Sequence, residues 1–416
     1  MSLALAGLKV LDLSRALSGP FSTMILADLG AEVIKVEPLP DGDMTRGWGP
    51  MDREDISVYY LSTNRNKEGI AVNFRDSKGL ALLRRLAIGS DVVIENFKVG
   101  TMEAMGLGYE ALAKENPRLI MGSISGFGRK GPAKSWAGFD QIAQGYSGFM
   151  SVTGTPETGA TRVGVPIGDM TAGMWLAIGV LAAVTARERT GVGQHVDTSL
   201  LTGLMALLSV QGQRYLNLSE VPTPNGNAHP VLAPYGTFQT ADGPLNLAPA
   251  TEAMWTRLCE LLGLETLPKD PRFIDNAKRM ENGEELKRLM EGSLGTRTRA
   301  EWTQVFIDNG IPAGPINDLK DVFADAQVAA CGIVEQVTHP ILGPISMVGS
   351  AVQFSADQPQ KSVRTPAPLL GQHTNQVLSA YGLSADEIAE LQQAGVVRQE
   401  VSGQAVTEGG NSAASA

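Results

Sequence analysis

The sequence predicts an α/β protein: a large domain built on a parallel sheet wrapped by helices, and a second, smaller α+β domain. Two patterns predict it. Strand-like and helix-like segments alternate from Leu8 to Ile124, which is how successive β-α-β units read. After Leu201 that alternation gives way to a proline- and asparagine-rich stretch, then to a hairpin followed by helices.

Leu8–Leu13 alternates and is rich in β-formers, so it reads as a strand. Ser18-Gly19-Pro20 opens a helix, with proline in the first turn where its missing N–H costs little. That helix ends near Leu29-Gly30, and Glu32–Val36 is the next strand. Ile70–Asn73, Asp91–Glu95 and Leu119–Ile124 follow as strands, with helices at Ser77–Ile88 and Glu110–Glu115. Right-handed connections in such a sheet place ligands at the carboxyl ends of the strands. Met170–Ala186 is the most apolar stretch; it is short for a membrane span and runs into Arg187-Glu188-Arg189, so it reads as a buried helix. Tyr235–Thr240 and Leu245–Leu247 form a hairpin turning at Asp242-Gly243. Helices follow at Glu252–Leu262, Gly283–Met290 and Arg299–Asn309, the first and last with Thr251 and Thr298 as N-caps. Val334–Val337 pairs with Ile345–Val348, and Pro366–Gly371 leads to a terminal helical region. The expected division is a large domain over 1–205, a linker over 206–224, a small domain over 225–325, a return to the large domain over 330–400, and a disordered tail over 401–416.

Composition narrows the function classes. Hydrophobic residues make up 43% of the 416, enough for a sizeable core. A net charge of -10 argues against a nucleic-acid partner, which needs a basic face. The two cysteines, Cys259 and Cys331, are too few and too far apart for a disulfide framework and suggest a reducing compartment. The four histidines show no paired ligand spacing, so no metal site is expected. The N-terminus lacks the basic start and apolar run of a signal peptide. The expectation is a soluble cytoplasmic protein without a membrane partner.

Two motifs bear on chemistry. Gly126-Phe127-Gly128-Arg129-Lys130-Gly131 fits G-x-G-x-x-G after a strand, but Pro132 follows and the next residues read as loop, not as a helix that would receive a pyrophosphate. A loop that turns the chain is the better reading. In Arg162–Thr171, Asp169 stands at the start of the long apolar helix. An aspartate there is either an N-cap or a functional carboxylate, whose nearby N–H groups can stabilise an oxyanion. Gly168 leaves room for a thioester to approach. The local sequence leaves both readings open.

From about Leu5 to about Val397 the chain resembles the class III coenzyme A transferases, the family of formyl-CoA transferase, carnitine CoA-transferase and the 2-methylacyl-CoA racemases. The resemblance rests on LAGLKVLDLS, ADLGAEVIKVEP, GDMTRGW, NRNK, VVIENF, SISGFG, GFDQIAQ, GDMTAG, TGVGQHVD, GIPAGPI and PLLGQHT, in order along the chain. It implies a Rossmann-like large domain built from both chain ends, and an interlocked homodimer. It implies that Asp169 attacks an acyl-CoA and carries the coenzyme as an aspartyl thioester before a second carboxylic acid takes it. Coenzyme A and acyl-CoA enter as substrates; no permanently bound cofactor is expected.

The racemase branch carries a histidine where this chain has Phe139, next to Asp140. Phenylalanine moves no proton, which favours transfer over racemisation. An isomerase, including one that shifts coenzyme A within one diacid, is the alternative, and a passive CoA binder the third. The resemblance also implies that coenzyme A runs past Val72–Arg75, Asn96, Phe97, Lys98 and Met105, with Arg75 and Lys98 near phosphates. Pro38 and Ala104 stand where relatives often have arginine. Leu17, Arg46, Trp48, Tyr59, Phe139, Asp140 and Gly168 are candidate substrate residues. Arg46 and Arg65 are candidates for gripping the second carboxylate of a diacid, against a favoured alternative of structural ion pairs. The hairpin and helices look closest to the branch using succinyl-CoA and small dicarboxylic acids.

Overall fold

A computed structural model describes residues 3–52, 54–355 and 361–400, so the expected tail at 401–416 lies outside the described residues. The chain forms two compact units. The larger takes the chain up to Phe149, Val163–Gln213 and the part from Gly332 onward; the smaller takes Met150–Arg162 and Arg214–Cys331.

The larger unit is organised by a seven-stranded sheet. Its strands are β1 (Lys9–Asp12), β2 (Glu32–Pro38), β3 (Lys67–Val72), β4 (Val92–Glu95), β5 (Ile120–Ser125), β6 (His195–Ser199) and β7 (Val397–Arg398). Their spatial order is 7-3-2-1-4-5-6. All pairings are parallel except that of β7, which runs antiparallel to β3 with Val397 opposite Val72. Strand order reverses between β1 and β4, so the crevice outside their carboxyl ends is where ligands of such sheets bind.

Alternation within the strands fills a core on each side. On β1, Val10 joins Val33, Val92, Ile94 and Leu176 on one face, while Leu11 joins Ile34, Ile70, Leu83 and Val93 on the other. Each such burial stabilises by about 1.5–3 kcal/mol. The helices used below are α1 (Ser18–Asp28), α2 (Ser77–Ile88), α3 (Asp140–Tyr146), α4 (Ile167–Thr190) and α5 (Leu200–Leu207). Helix α4 has the length and hydropathy of a membrane span; here Ala172, Leu176, Ala177, Val180 and Ala183 are buried in the core. It packs against α1, and Gly173 makes that approach possible. A Cβ there would lie 2.7 Å from the Ser18 carbonyl oxygen.

The smaller unit carries a three-stranded antiparallel sheet of Gly236–Gln239, Pro244–Leu247 and Ala313–Pro315. Trp255, Leu258, Phe273, Met290 and Phe306 pack into its core. Thr251 and Thr298 cap their helices, Thr298 as part of a reciprocal capping box with Glu301.

Several boundaries differ from the sequence expectation; the smaller unit, for one, runs over Arg214–Cys331 rather than 225–325. The stretch 206–224, expected as a linker, contains a helix, Ser209–Leu218, with no buried residue. Residues 150–162 belong to the smaller unit, where Gly154–Thr155 pairs with Gly159–Ala160. Strand β3 begins at Lys67, three residues before Ile70, because an ammonium group is buried at its start.

Candidate active site

The turn leaving β1 is held by buried charges. Asp12 accepts hydrogen bonds from the Ser14 amide at 3.0 Å, the Thr23 hydroxyl at 2.6 Å and Lys67 Nζ at 3.1 Å. Lys35 Nζ donates to the Ser14 carbonyl at 2.5 Å and to Asp43 at 2.9 Å. Asp43 also accepts from the amides of Ala16 at 3.2 Å and Thr45 at 3.0 Å, tying this turn to the segment that carries Arg46 and Trp48. Burial brings the Lys67 ammonium down to about 8 despite Asp12. Burial also disfavours the Lys35 charge, but Asp43, Asp12 and Glu37 outweigh it and raise its pKa.

Asp169 is the third residue of α4, half-buried, with Pro166 at the N-cap. It is therefore not the cap of its own helix. That role is taken from outside by Asp140, the first residue of α3. One oxygen of Asp140 accepts from the Gly168 amide at 2.7 Å and the other from Gln144 Nε2 at 2.6 Å. Gln144 Oε1 in turn accepts from the Val163 amide at 2.9 Å. Asp140 thus satisfies a first-turn N–H that a helix leaves open and sets the start of α4. It also puts a second carboxylate beside Asp169. Burial first, then the Asp140 charge, push the Asp169 carboxyl up to about 7, against a hydrogen bond from the Ser18 hydroxyl that pulls it down.

Trp48 and Tyr59 meet edge to face, with ring centroids 5.3 Å apart. Burial raises the Tyr59 phenol pKa, and so do Asp169, Asp140 and Asp43, which places this ring in the field of the Asp169 site. Leu17 is buried at the start of α1. Phe139 precedes α3 and is exposed. Arg46 is not free to hold a substrate: its Nε and Nη2 each reach Glu37 at 2.7 Å, and Nη2 also reaches the Pro368 carbonyl at 2.9 Å. A buried Glu37 carboxylate demands that partner. Arg65 is likewise committed, to Asp28 at 3.0 and 2.6 Å.

The residues expected along coenzyme A divide. Phe97 and Met105 are partly buried beside Phe74, with the Phe74 and Phe97 rings 6.5 Å apart, and form an apolar strip past the ends of β3 and β4. Arg75 and Lys98 are exposed. Val72 is fully buried, and its carbonyl already accepts from Leu39. The Asn96 side chain is occupied by the β1 turn: Oδ1 accepts from the Arg15 amide at 2.7 Å, and Nδ2 donates to the Arg15 carbonyl at 2.7 Å and to Ser18 Oγ at 3.3 Å. Asn96 builds the site rather than lining it.

The Gly126–Gly131 loop leads into further turns, and Gly126 lies directly on Gly138, where a Cβ would meet backbone at 2.6 Å. Close chain crossing, not phosphate binding, accounts for that glycine. Sequence reading missed Ser18, Gln144 and Asp43 as parts of the site. The spacing of Asp140 and Gln144, one helical turn apart in GFDQIAQ, is a signal that could have found their pairing.

The geometry is an apolar strip and a half-buried carboxylate at the carboxyl ends of a parallel sheet. The model of "CoA-transferase family III" matches residues 5–374. The chain belongs to CoA-transferase family III. It is 41% identical over 397 residues to the succinyl-CoA:glutarate CoA-transferase of Mus musculus, covering 95% of this chain and 90% of that protein. It is 38% identical over 362 residues to the acetyl-CoA:oxalate CoA-transferase of Acetobacter aceti, covering 86% and 92%. Among solved structures, a CAIB/BAIF family protein from Brucella suis superimposes with a TM-score of 0.82 at 38% identity, covering 92% of this chain and 100% of that one. As a family III CoA-transferase this chain is an enzyme whose substrates include CoA thioesters.

Proposed function

We propose that this enzyme moves coenzyme A between a succinyl-CoA-type donor and a small dicarboxylic acid through a covalent intermediate on Asp169. The observation that carries the proposal is the placement of Asp169 on the first turn of α4, half-buried and backed by the Asp140 cap. The ionised carboxylate attacks the thioester carbonyl and expels the coenzyme A thiolate, leaving a mixed anhydride. The thiolate then attacks the aspartyl carbonyl, releasing the donor acid and forming the aspartyl thioester. The acceptor carboxylate attacks that thioester, and the returning thiolate makes the new acyl-CoA. Phe139 offers no proton-transfer group in the position a racemase would use. The dicarboxylate assignment is supported by the relative named for succinyl-CoA and glutarate.

A homodimer is part of the proposal. Helix α4 exposes Met174, Trp175 and Ile178, and the region around α3 exposes Trp136, Phe139, Ile142 and Tyr146. A second copy packed there would cover these apolar side chains.

The test is transfer from succinyl-CoA to labelled dicarboxylic acids, followed by trapping. Hydroxylamine added during turnover should convert Asp169 to a hydroxamate, seen as a mass change on one peptide, and Asp169→Ala should abolish exchange while still binding coenzyme A. An active enzyme that never labels at Asp169, across several quench times, would require a direct ternary mechanism instead.

A further inference from the structure

The turn Leu13–Leu17 is braced far beyond what a connecting turn needs. Ser14 is held through its carbonyl by Lys35 and through its amide by Asp12. Arg15 is held through both its amide and its carbonyl by Asn96, and Ala16 through its amide by Asp43. Ala16 has φ 62, a left-handed conformation that costs an L-residue energy and persists only where the surroundings enforce it. Such strain gathers at functional sites.

What this scaffold presents is the Arg15 side chain. It is half-buried, its guanidinium carbon lies 5.0 Å from the Phe97 ring centroid, and among the described residues it has no ion pair and no side-chain hydrogen bond. The other half-buried or buried arginines nearby, Arg46 and Arg65, each hold a carboxylate. Arg15 also sits at the carboxyl end of β1 and is clamped to the residue following β4, in the crevice where strand order reverses. Asn96, which grips it, donates to Ser18, whose hydroxyl neighbours Asp169. The guanidinium therefore belongs to the same framework as the reacting carboxylate. A planar fork stacked on an aromatic face keeps its in-plane donors free for oxyanions.

We propose that Arg15 is a substrate-binding residue that holds an oxyanion, either a coenzyme A phosphate or the second carboxylate of the diacid. This rests on the transferase reading above. The experiment compares the enzyme with Arg15→Gln and Arg15→Lys in transfer from succinyl-CoA. Acceptors are a dicarboxylic acid and a monocarboxylic acid of similar length, and succinyl-pantetheine serves as a donor lacking phosphates. Losing a charge-assisted pair should raise the KM of the bound substrate about 10- to 100-fold in Arg15→Gln, with kcat changed about threefold or less. A rise for succinyl-CoA with either acceptor, absent with succinyl-pantetheine, assigns the phosphate. A rise for the dicarboxylic acceptor and for both succinyl donors, absent for the monocarboxylic acceptor, assigns the carboxylate. Arg15→Lys should recover part of the loss and covers the case in which Arg15→Gln does not fold. If folded Arg15→Gln keeps every KM, or if it loses kcat and melting temperature together with no selective KM change, the turn is only structural and the proposal fails. Wild-type protein with no transfer to any acid would instead overturn the transferase reading itself.

Discussion

Asp140→Asn separates two things that one carboxylate does at the head of α4. Asparagine keeps an oxygen for the Gly168 amide, now 2.7 Å away, so the cap survives while the charge goes, together with the bond from Gln144 Nε2, which an amide NH2 cannot accept. The Asp169 carboxyl stands at about 7 in the folded chain against an ordinary 3.8, with burial the larger cause and the Asp140 charge the second. The Asp140 charge is the smaller of the two causes that raise it, so removing that charge should bring the Asp169 pKa part of the way down. Transfer needs Asp169 ionised, so kcat/KM of the wild-type enzyme should climb with pH along a limb centred near 7. In Asp140→Asn that limb should move toward acid, making the variant the faster enzyme on the acid side of the wild-type limb. The assay is initial-rate transfer at limiting acyl-CoA from pH 5 to 9, with the melting temperature followed at each pH. An unmoved limb in a folded variant would show that Asp140 does not set the charge state of Asp169. A flat profile in both proteins would show that Asp169 is already ionised throughout.

Three further outcomes follow from the same geometry. Because the folded state raises the Asp169 pKa, the folded chain holds a proton there that the unfolded chain has lost between about pH 4 and 7; stability falls across that window and stays lower above it. Asp169→Asn should therefore be more stable than wild type at pH 8, by about 1–2 kcal/mol after solvent screening of a half-buried group, and no more stable at pH 4 in denaturant titrations. Equal gains at both pH values would contradict the linkage. Arg46→Met strands the buried Glu37 and should cost about 2–4 kcal/mol in chemical unfolding; a selective loss of dicarboxylic acceptors at unchanged stability would return Arg46 to the substrate site. Gly173→Ala drives a methyl against the Ser18 carbonyl and should cost about 1–3 kcal/mol with activity falling as α1 and α4 part; a neutral melting temperature would mean the two helices are not in fixed contact.

The legible parts of the fold were those whose signals are local. Helix α2 was read to the residue because Asp76 caps it and Gly89 ends it. The start of β3 was hidden because Lys67 and Glu68 look like loop until Asp12, fifty-five residues away, is seen to hold the ammonium. The helix at Ser209–Leu218 was hidden for another reason: its apolar residues face outward in a single chain, so no buried stripe marks it. At the site, Asp169 could be singled out but not assigned from its neighbours in sequence. Its environment is made by Ser18 and Asp140, which reach it from other helices, and such tertiary contacts leave no periodic trace. Arg46 shows a different limit. The sequence favoured a structural ion pair over a substrate grip there but could not name the partner, because Glu37, nine residues earlier, belongs to a different element.

The sheet of the larger unit closes with a strand only two residues long, drawn from the far end of the chain: Val397 and Arg398 lie along Val72 and Ala71. During synthesis the first five strands leave the ribosome long before that last one does. For the time it takes to make more than three hundred residues, β3 keeps one open edge, the kind that recruits other strands. The order of synthesis therefore asks the cell to shelter this edge. A chain that stops just short of Val397 retains Asp169 and the whole β1–β4 crevice, and His373 and Thr374 still hold Gly69 and Ala71, but the last stretch of that edge loses its strand, so shortening this protein from its end should first appear as clumping rather than as a slower enzyme.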